Sequence, residues 1–375
     1  MTVATVLLHL CTPGEWRSWL DAGAVAPPSL DEAGFVHLST PEQVALPAER
    51  LFAGRTDLVL LVLDPARLDA AGVRVRWEPG VPGDPESMRF PHAYGPVPLG
   101  AVLAVVAYRP GPDGFTAPAV PEPTAAFRAS AFEASMLRRA ADAEEPVTGG
   151  VAIRTDEWPV SRMHNRLQID RPHLTDAVVL AREADRALVA HGRAATAFLD
   201  GPGARELATG LTAAGWAVSA LDVLAGPAGR DATGAAARAV EVDADVVREF
   251  RLADWRTALP DLPDGQLAQL VDRDAGTARA VAMHHVAVLD DGVAVATGTL
   301  ERDGATAWVD GLTTAPAHRG RGHGRALLAR CRELAAEYGC DLVALGADAD
   351  DWPREWYLRA GFSLVGRQYE AIRRP

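Results

Sequence analysis

Gly320, Gly322 and Gly324 alternate with Arg319, Arg321, His323 and Arg325, immediately before the run Ala326-Leu327-Leu328. This is the spacing of an anion cradle. Glycine has no Cβ, so main-chain N–H groups can approach a phosphate closely. The free amides and dipole of an opening helix then favour negative charge, and the arginines add cationic forks suited to phosphate oxygens. The Lys-Ser/Thr pair of a Walker loop is missing, and Arg325 stands where a dinucleotide fingerprint needs its third glycine. Taken alone, such a stretch fits an ordinary loop and helix cap equally well.

A cradle works only on a strand-loop-helix unit, and the flanking sequence supplies one. Apolar runs at 286–289, 293–300 and 307–312 are expected as strands. The turns Asp290-Asp291-Gly292 and Arg302-Asp303-Gly304 join them as hairpins. A helix over 324–338, a strand over 342–345, a short helix near 352–359 and a last strand from 364 complete the pattern. Upstream, 195–199 and 217–224 read as strands around a helix at 203–214. Ala214-Gly215-Trp216-Ala217-Val218 echoes Ala360-Gly361-Phe362-Ser363-Leu364, which suggests that the middle segment is a diverged copy of the last. Prolines crowd Arg109-Pro110-Gly111-Pro112 and Pro118 to Pro123, the mark of a stiff linker. The expected division is 1–112, a linker at 113–125, 126–240 and 241–375.

The strand, then Thr314-Ala315-Pro316-x-x-Arg319-Gly320-x-Gly322-x-Gly324-x-x-Leu327-Leu328, resembles the coenzyme motif of the GCN5-related N-acetyltransferase (GNAT) superfamily. Thirty residues on, Trp356-Tyr357-Leu358-Arg359-Ala360-Gly361-Phe362 is similar to that superfamily's Tyr-x-x-x-Gly-Phe ending. The resemblance implies a mixed central sheet flanked by helices, and acetyl transfer from acetyl-CoA to a primary amine by direct attack in a ternary complex. It also implies that the amides of Arg319, Gly320, Arg321, Gly322, His323, Gly324 and Arg325 hold the coenzyme pyrophosphate. Leu312, Thr313 and Thr314 would pair with the pantetheine arm, and Tyr357 would protonate the departing thiolate. Asp350 stands where many members carry Asn. An attacking amine must lose a proton. Glu301 or Asp310 could take it through water, or both could be solvated hairpin-end carboxylates. The middle segment shows no such cradle, so it is expected as a degenerate GNAT-like half that walls the substrate cleft, as in tandem GNAT architecture. Asp156-Glu157-Trp158-Pro159 and His164-Asn165-Arg166 are candidates for that wall. A coenzyme-binding sensor without turnover is the competing reading.

His9, Gly34-Phe35-Val36-His37-Leu38-Ser39, Arg76-Trp77-Glu78 and Phe90-Pro91-His92-Ala93-Tyr94 form a second constellation. It resembles a small bacterial domain family of unknown function, distantly related to the ADP-ribosyltransferase fold. That resemblance implies an N-terminal α+β domain in which His9, His37, Ser39, Arg76, Glu78, His92 and Tyr94 could hold NAD or another nucleotide, or form a satisfied polar network. The three histidines lack the spacing of a metal site. The fold class expected for the chain is therefore multidomain α/β and α+β.

The 375 residues carry a net charge of −13, with 48% hydrophobic and 23% charged residues. That balance argues against nucleic acid and anionic membrane as partners, leaving a small-molecule or peptide amine. Three widely spaced cysteines offer no disulfide framework or zinc pair. Without a signal-like N-terminus or a long apolar run, a cytoplasmic location is expected.

Overall fold

The structure is a computed structural model and describes residues 5–80 and 88–373. The N-terminal region is α+β. Strands Leu7–Cys11, Val59–Leu63 and Val102–Ala107 form one antiparallel sheet, and Val36–His37, Arg89–Tyr94 and Arg74–Pro79 form another. The uninterrupted apolar run of Val59–Leu63 is buried at every position, as a central strand covered on both faces requires. Helix Pro13–Ala22 starts on a capping box between Thr12 and Glu15 and buries Trp16, Trp19 and Leu20.

The rest of the chain builds a sheet of eleven strands among the described residues. The upstream strands are β1 (Ala143–Val147), β2 (Gly150–Arg154), β3 (Arg166–Ile169), β4 (Thr196–Leu199) and β5 (Ala217–Pro227). The downstream ones are β6 (Val240–Val242), β7 (Ala282–Asp290), β8 (Val293–Asp303), β9 (Thr306–Thr314), β10 (Leu342–Asp348) and β11 (Ser363–Ile372). Helices α1 (Ala125–Ala140), α2 (Ala177–Ala187), α3 (Ala204–Ala213), α4 (Ala244–Ala258), α5 (Asp264–Asp272), α6 (His323–Glu337) and α7 (Trp352–Arg359) lie between and around them. No described helix is long and apolar enough to cross a membrane.

The sheet order is β6-β7-β8-β9-β10-β5-β11-β4-β3-β2-β1. Each half therefore lends its last strand to the other. β5 pairs with β10, β11 pairs with β4, and the two exchanged strands pair with each other. These are the strands that follow the echoed Ala-Gly-Trp and Ala-Gly-Phe turns. Gly215 and Gly361 reverse the chain after a helix at φ +86° and +88°, and Trp216 and Phe362 anchor in separate cores. The sheet is thus continuous across the boundary expected at residue 240. Asp222 on β5, fully buried, accepts hydrogen bonds from Arg354 on α7 and Arg367 on β11.

The N-terminal domain is docked on the tip of the β8–β9 hairpin. The Trp16 indole N–H donates to Asp303 Oδ1 at 2.6 Å, and Arg139 of α1 grips the same carboxylate at 2.5 and 3.3 Å. The Ala305 N–H donates to Val102 O at 2.7 Å. The turn after Asp303 is therefore buried under another domain, which its hairpin signature did not show.

Nearby, Asp341 accepts from Arg67 of the N-terminal domain and Arg128 of α1. Burial pushes its carboxyl up, but the hydrogen bonds from Arg128 and Arg67 outweigh that and hold it well below its usual value of 3.8. A carboxylate held low stabilises the fold above its unfolded-state pKa and loses that contribution as pH falls toward the folded one. The stability gap between wild type and Asp341→Asn, read from urea melts, is expected to be full near pH 6 and to close below about pH 4.

Candidate coenzyme and acceptor site

β9 and β10 run parallel, but their pairing is confined to Thr306↔Leu342, Ala307↔Val343 and Trp308↔Ala344. Beyond Trp308 the two strands part. Against β8, β9 carries one extra residue, since Thr299↔Asp310 is followed by Thr297↔Thr313. The bulge falls at Gly311, φ +63°, a backbone conformation that suits glycine. In the upstream half the equivalent parallel pair stays closed. β3 and β4 remain paired to Ile169↔Leu199, and the Asp200 N–H extends the ladder to Ile169 O at 2.9 Å.

The opened gap leads to the start of α6. There the N–H groups of residues 320–325 have no acceptor among the described residues. The N-cap is Gly322, in a left-handed conformation and with no side chain to cap the amides. Helix α2 differs at this point: the Asp176 carboxylate accepts from the N–H groups of Val178 and Val179. A carboxylate already fills the place a phosphate would need, so the upstream half has neither gap nor cradle.

A cleft of about 650 Å³ runs along this path, lined by Leu312, Thr313, Thr314, Arg319, Gly320, Gly322, His323, Gly324, Arg325 and Tyr357. Arg321 turns aside, donating to Ala317 O at 3.3 Å. Asp350 is exposed on the turn after β10 and does not line the cleft. Trp352, Pro353 and Trp356 of α7 form a wall that motif matching did not single out. Arg238 was also missed. It comes from a short turn over 80 residues upstream, donates to Arg321 O at 3.1 Å and lies 3.4 Å from His323 Nδ1. Burial, then the charge of Arg238, lowers the His323 pKa and keeps that ring neutral.

Tyr357 is 9% exposed, with its ring edge-on to Phe362. Its hydroxyl has no hydrogen-bond partner among the described residues, and the residue lines the cleft. Burial, with Asp310 nearby, pushes the phenol up to about 12. Strand register places Thr299, Glu301, Trp308 and Asp310 on one face of β8 and β9. The opposite face, with Leu300, Ala307 and Val309, packs in the core under α6. Glu301 is 4% exposed, so it is not a solvated hairpin-end carboxylate. Burial, then the negative charges of Asp310 and Asp274, push its carboxyl well above the ordinary range. Neither Glu301 nor Asp310 has a hydrogen bond or ion pair to any described residue. Thr299 is held by Arg251 of α4 and by His285, both at 3.1 Å.

Of the suggested cleft wall in the middle segment, Asn165 braces the Thr155 N–H and the Trp158 and Ser161 carbonyls. His164 hydrogen-bonds Ser161. Arg166 donates to Glu133 Oε1 of α1 at 3.0 Å.

In the N-terminal domain the second sheet gathers His37, Arg76, Glu78, His92 and Tyr94. The Tyr94 hydroxyl donates to Glu78 at 2.7 Å, and Arg76 stacks 4.5 Å over the Tyr94 ring. His92 is buried, stacked 4.0 Å from Phe35 and edge-on to His37 at 5.0 Å. His9 joins through its ring, 2.9 Å from His37 O, and Ser39 sits on the bridge with Leu8. Among the described residues no group of three or more His, Cys, Asp or Glu is placed to hold a metal.

Comparison with known proteins bears on both ends of the chain. Residues 245–362 match the model of the acetyltransferase (GNAT) family, and residues 10–105 match that of a protein of unknown function, DUF952. No curated protein matches the chain. Among solved structures, the chain is 23% identical to a GCN5-related N-acetyltransferase from Kribbella flavida, covering 67% of this chain and 96% of that one at a TM-score of 0.46. It is 16% identical to a tandem GNAT protein from the clavulanic acid biosynthesis pathway, covering 61% and 80% at 0.40. It is 28% identical to a protein from Caulobacter crescentus, covering 30% and 93% at 0.26. The chain therefore carries a GNAT-family acetyltransferase domain at its C-terminal end, behind an N-terminal domain of the DUF952 family of unknown function.

Proposed function

We propose that the chain transfers an acetyl group from acetyl-CoA to a primary amine by direct attack. The observation that carries this reading is the separation of β9 from β10, which ends at six acceptor-free amides and has Tyr357 beside it. The amides of 320–325 with Arg319 and Arg325 would hold the diphosphate. The main chain of Leu312 to Thr314 would pair with the pantetheine arm and polarise the thioester carbonyl. The amine nitrogen attacks the carbonyl carbon, the C–S bond breaks, and the Tyr357 hydroxyl gives its proton to the thiolate. The proton shed by the amine goes to Glu301 or Asp310, directly or through water, and the Glu301 carboxyl, pushed upward by burial, is well matched to an amine.

Gly322→Val tests the cradle. A branched side chain at φ +80° is strained, its Cβ would lie 3.4 Å from Arg238 Nη1, and its methyl groups would occupy the phosphate position. CoA affinity by calorimetry is expected to fall by about 100-fold or more, since the amides can no longer reach the phosphates. Normal binding by a folded variant sinks the assignment. Binding by wild type without thiol release across a broad amine panel would instead favour a sensor.

One observation favours a ligand in the N-terminal domain as well: His92 is buried with Nδ1 facing Glu78 Oε2 at 3.5 Å and Nε2 without a partner among the described residues. NAD or another nucleotide is the proposed class, following the resemblance to the ADP-ribosyltransferase fold. Nicotinamide release from NAD, lost in His37→Ala, would support it, and no release or binding would remove it.

A further inference from the structure

We infer that the acceptor is an amine with a second positive charge, and that its remote ammonium is held by Glu133, a residue of the half that has no coenzyme cradle. The inference rests on the acetyl-transfer reading and concerns the far side of the same site.

Four carboxylates converge on the polar face of β8 and β9: Glu301 and Asp310 from the strands, Asp274 from the turn after α5, and Glu133 from α1. Glu301 lies in the field of the other three, and Glu133 in that of Asp200 and Asp310. Two guanidiniums face them. Arg251 pairs with Asp274, and Arg166 bonds Oε1 of Glu133 at 3.0 Å. Glu301 and Asp310 have no cation paired to them among the described residues. The second observation is Glu301 itself, 4% exposed, without a hydrogen bond or ion pair to any described residue, and placed in the field of the other three carboxylates. A buried carboxyl is costly to leave unsatisfied, so a cation is the partner this space calls for. Trp308, partly exposed on this face and backed by the buried Phe132 ring 6.0 Å away, supplies an apolar wall for a methylene chain. Because Glu133 and Phe132 come from α1 while Glu301, Trp308 and Asp310 come from the hairpin, the site exists only where the two halves meet.

The geometry assigns distinct tasks. Asp310 lies at the end of the face nearest Tyr357, whose phenol feels its charge, and with Glu301 would take the reacting nitrogen. Glu133 lies across the face, with Oε2 free of any hydrogen bond to a described residue, and would take the distal ammonium.

The test uses the full chain with acetyl-CoA and matched pairs, 1,4-diaminobutane against n-butylamine and 1,6-diaminohexane against n-hexylamine, with thiol release as the readout at low salt. The expected result is a kcat/KM about tenfold or more higher for the diamine of suitable length, and collapse of that ratio toward unity in Glu133→Gln. The amide keeps the Arg166 bond, and a thermal melt confirms that the variant folds. Equal kcat/KM within each pair, or a preference for amines that carry a carboxylate, overturns the inference while leaving acetyl transfer standing. Calorimetry of the same amines on protein saturated with CoA reads the preference without turnover. Diamine-selective binding with no thiol release would keep this inference and overturn acetyl transfer, and binding without selectivity overturns the inference here too.

Discussion

Tyr357→Phe is expected to lower kcat for acetyl transfer by about 10²–10⁴-fold, the usual contribution of a positioned acid, with a much smaller change in the KM for acetyl-CoA. The phenol proton matters only while the C–S bond is breaking, so its loss should fall on the transition state rather than on ground-state binding. The ring, packed edge-on to Phe362, is kept by the substitution. The wild-type phenol, pushed up to about 12 by burial and Asp310, holds its proton at any working pH below that value. The alkaline limb of the pH profile therefore should not begin near neutrality. On the acid side, Glu301 must be ionised to accept a proton, and burial with its acidic neighbours holds it protonated to higher pH than a free carboxylate. kcat/KM should accordingly climb with pH, at higher pH than ionisation of a free carboxylate would give. Steady-state thiol release across pH 6–10 reads both limbs. A Phe variant within threefold of wild-type kcat removes Tyr357 from the chemistry.

Asp303→Ala should be among the most destabilising single substitutions in the chain, costing about 3–5 kcal/mol, because it strands a buried cation. The Arg139 and Asp303 side chains are 0% and 1% exposed, and the Trp16 indole N–H would lose its acceptor as well. Equilibrium urea unfolding gives the number. A loss below about 1 kcal/mol would mean that water or rearrangement replaces the pair. The effect should reach activity too. Asp303 stands two residues from Glu301 on the same face of β8, so the carboxylate that ties in the N-terminal domain also sets the strand that presents the candidate base.

The elements that carry the candidate coenzyme site were legible because their signals are local. Glycine spacing, the apolar strand before it and the helix formers after it all lie within twenty residues, and α6, α7 and β9 stand where that pattern put them. The echo of Ala214-Gly215-Trp216 in Ala360-Gly361-Phe362 marked two related halves, though not that their final strands would change places. Strand exchange depends on which edge is vacant in the partner half, and a pairing choice between strands over 110 residues apart leaves no local trace.

Arg238, Glu133 and Arg251 escaped notice for the same reason. Each is one charged residue on an amphipathic segment until the fold turns it toward the site. The residue type at 301 and 310 was visible, but its environment was not. Whether those carboxylates sit in water or under α1 and α4 depends on packing by remote helices, and that burial, not the identity of the acid, moves a carboxyl upward. Sequence alone determined the run of acceptor-free amides proposed as an anion cradle, because main-chain amides need only glycines and a helix start nearby. Tertiary structure alone decided which acids, from which half, face the gap between β9 and β10, because charges act through space and the chain brings them together only after the sheet has closed.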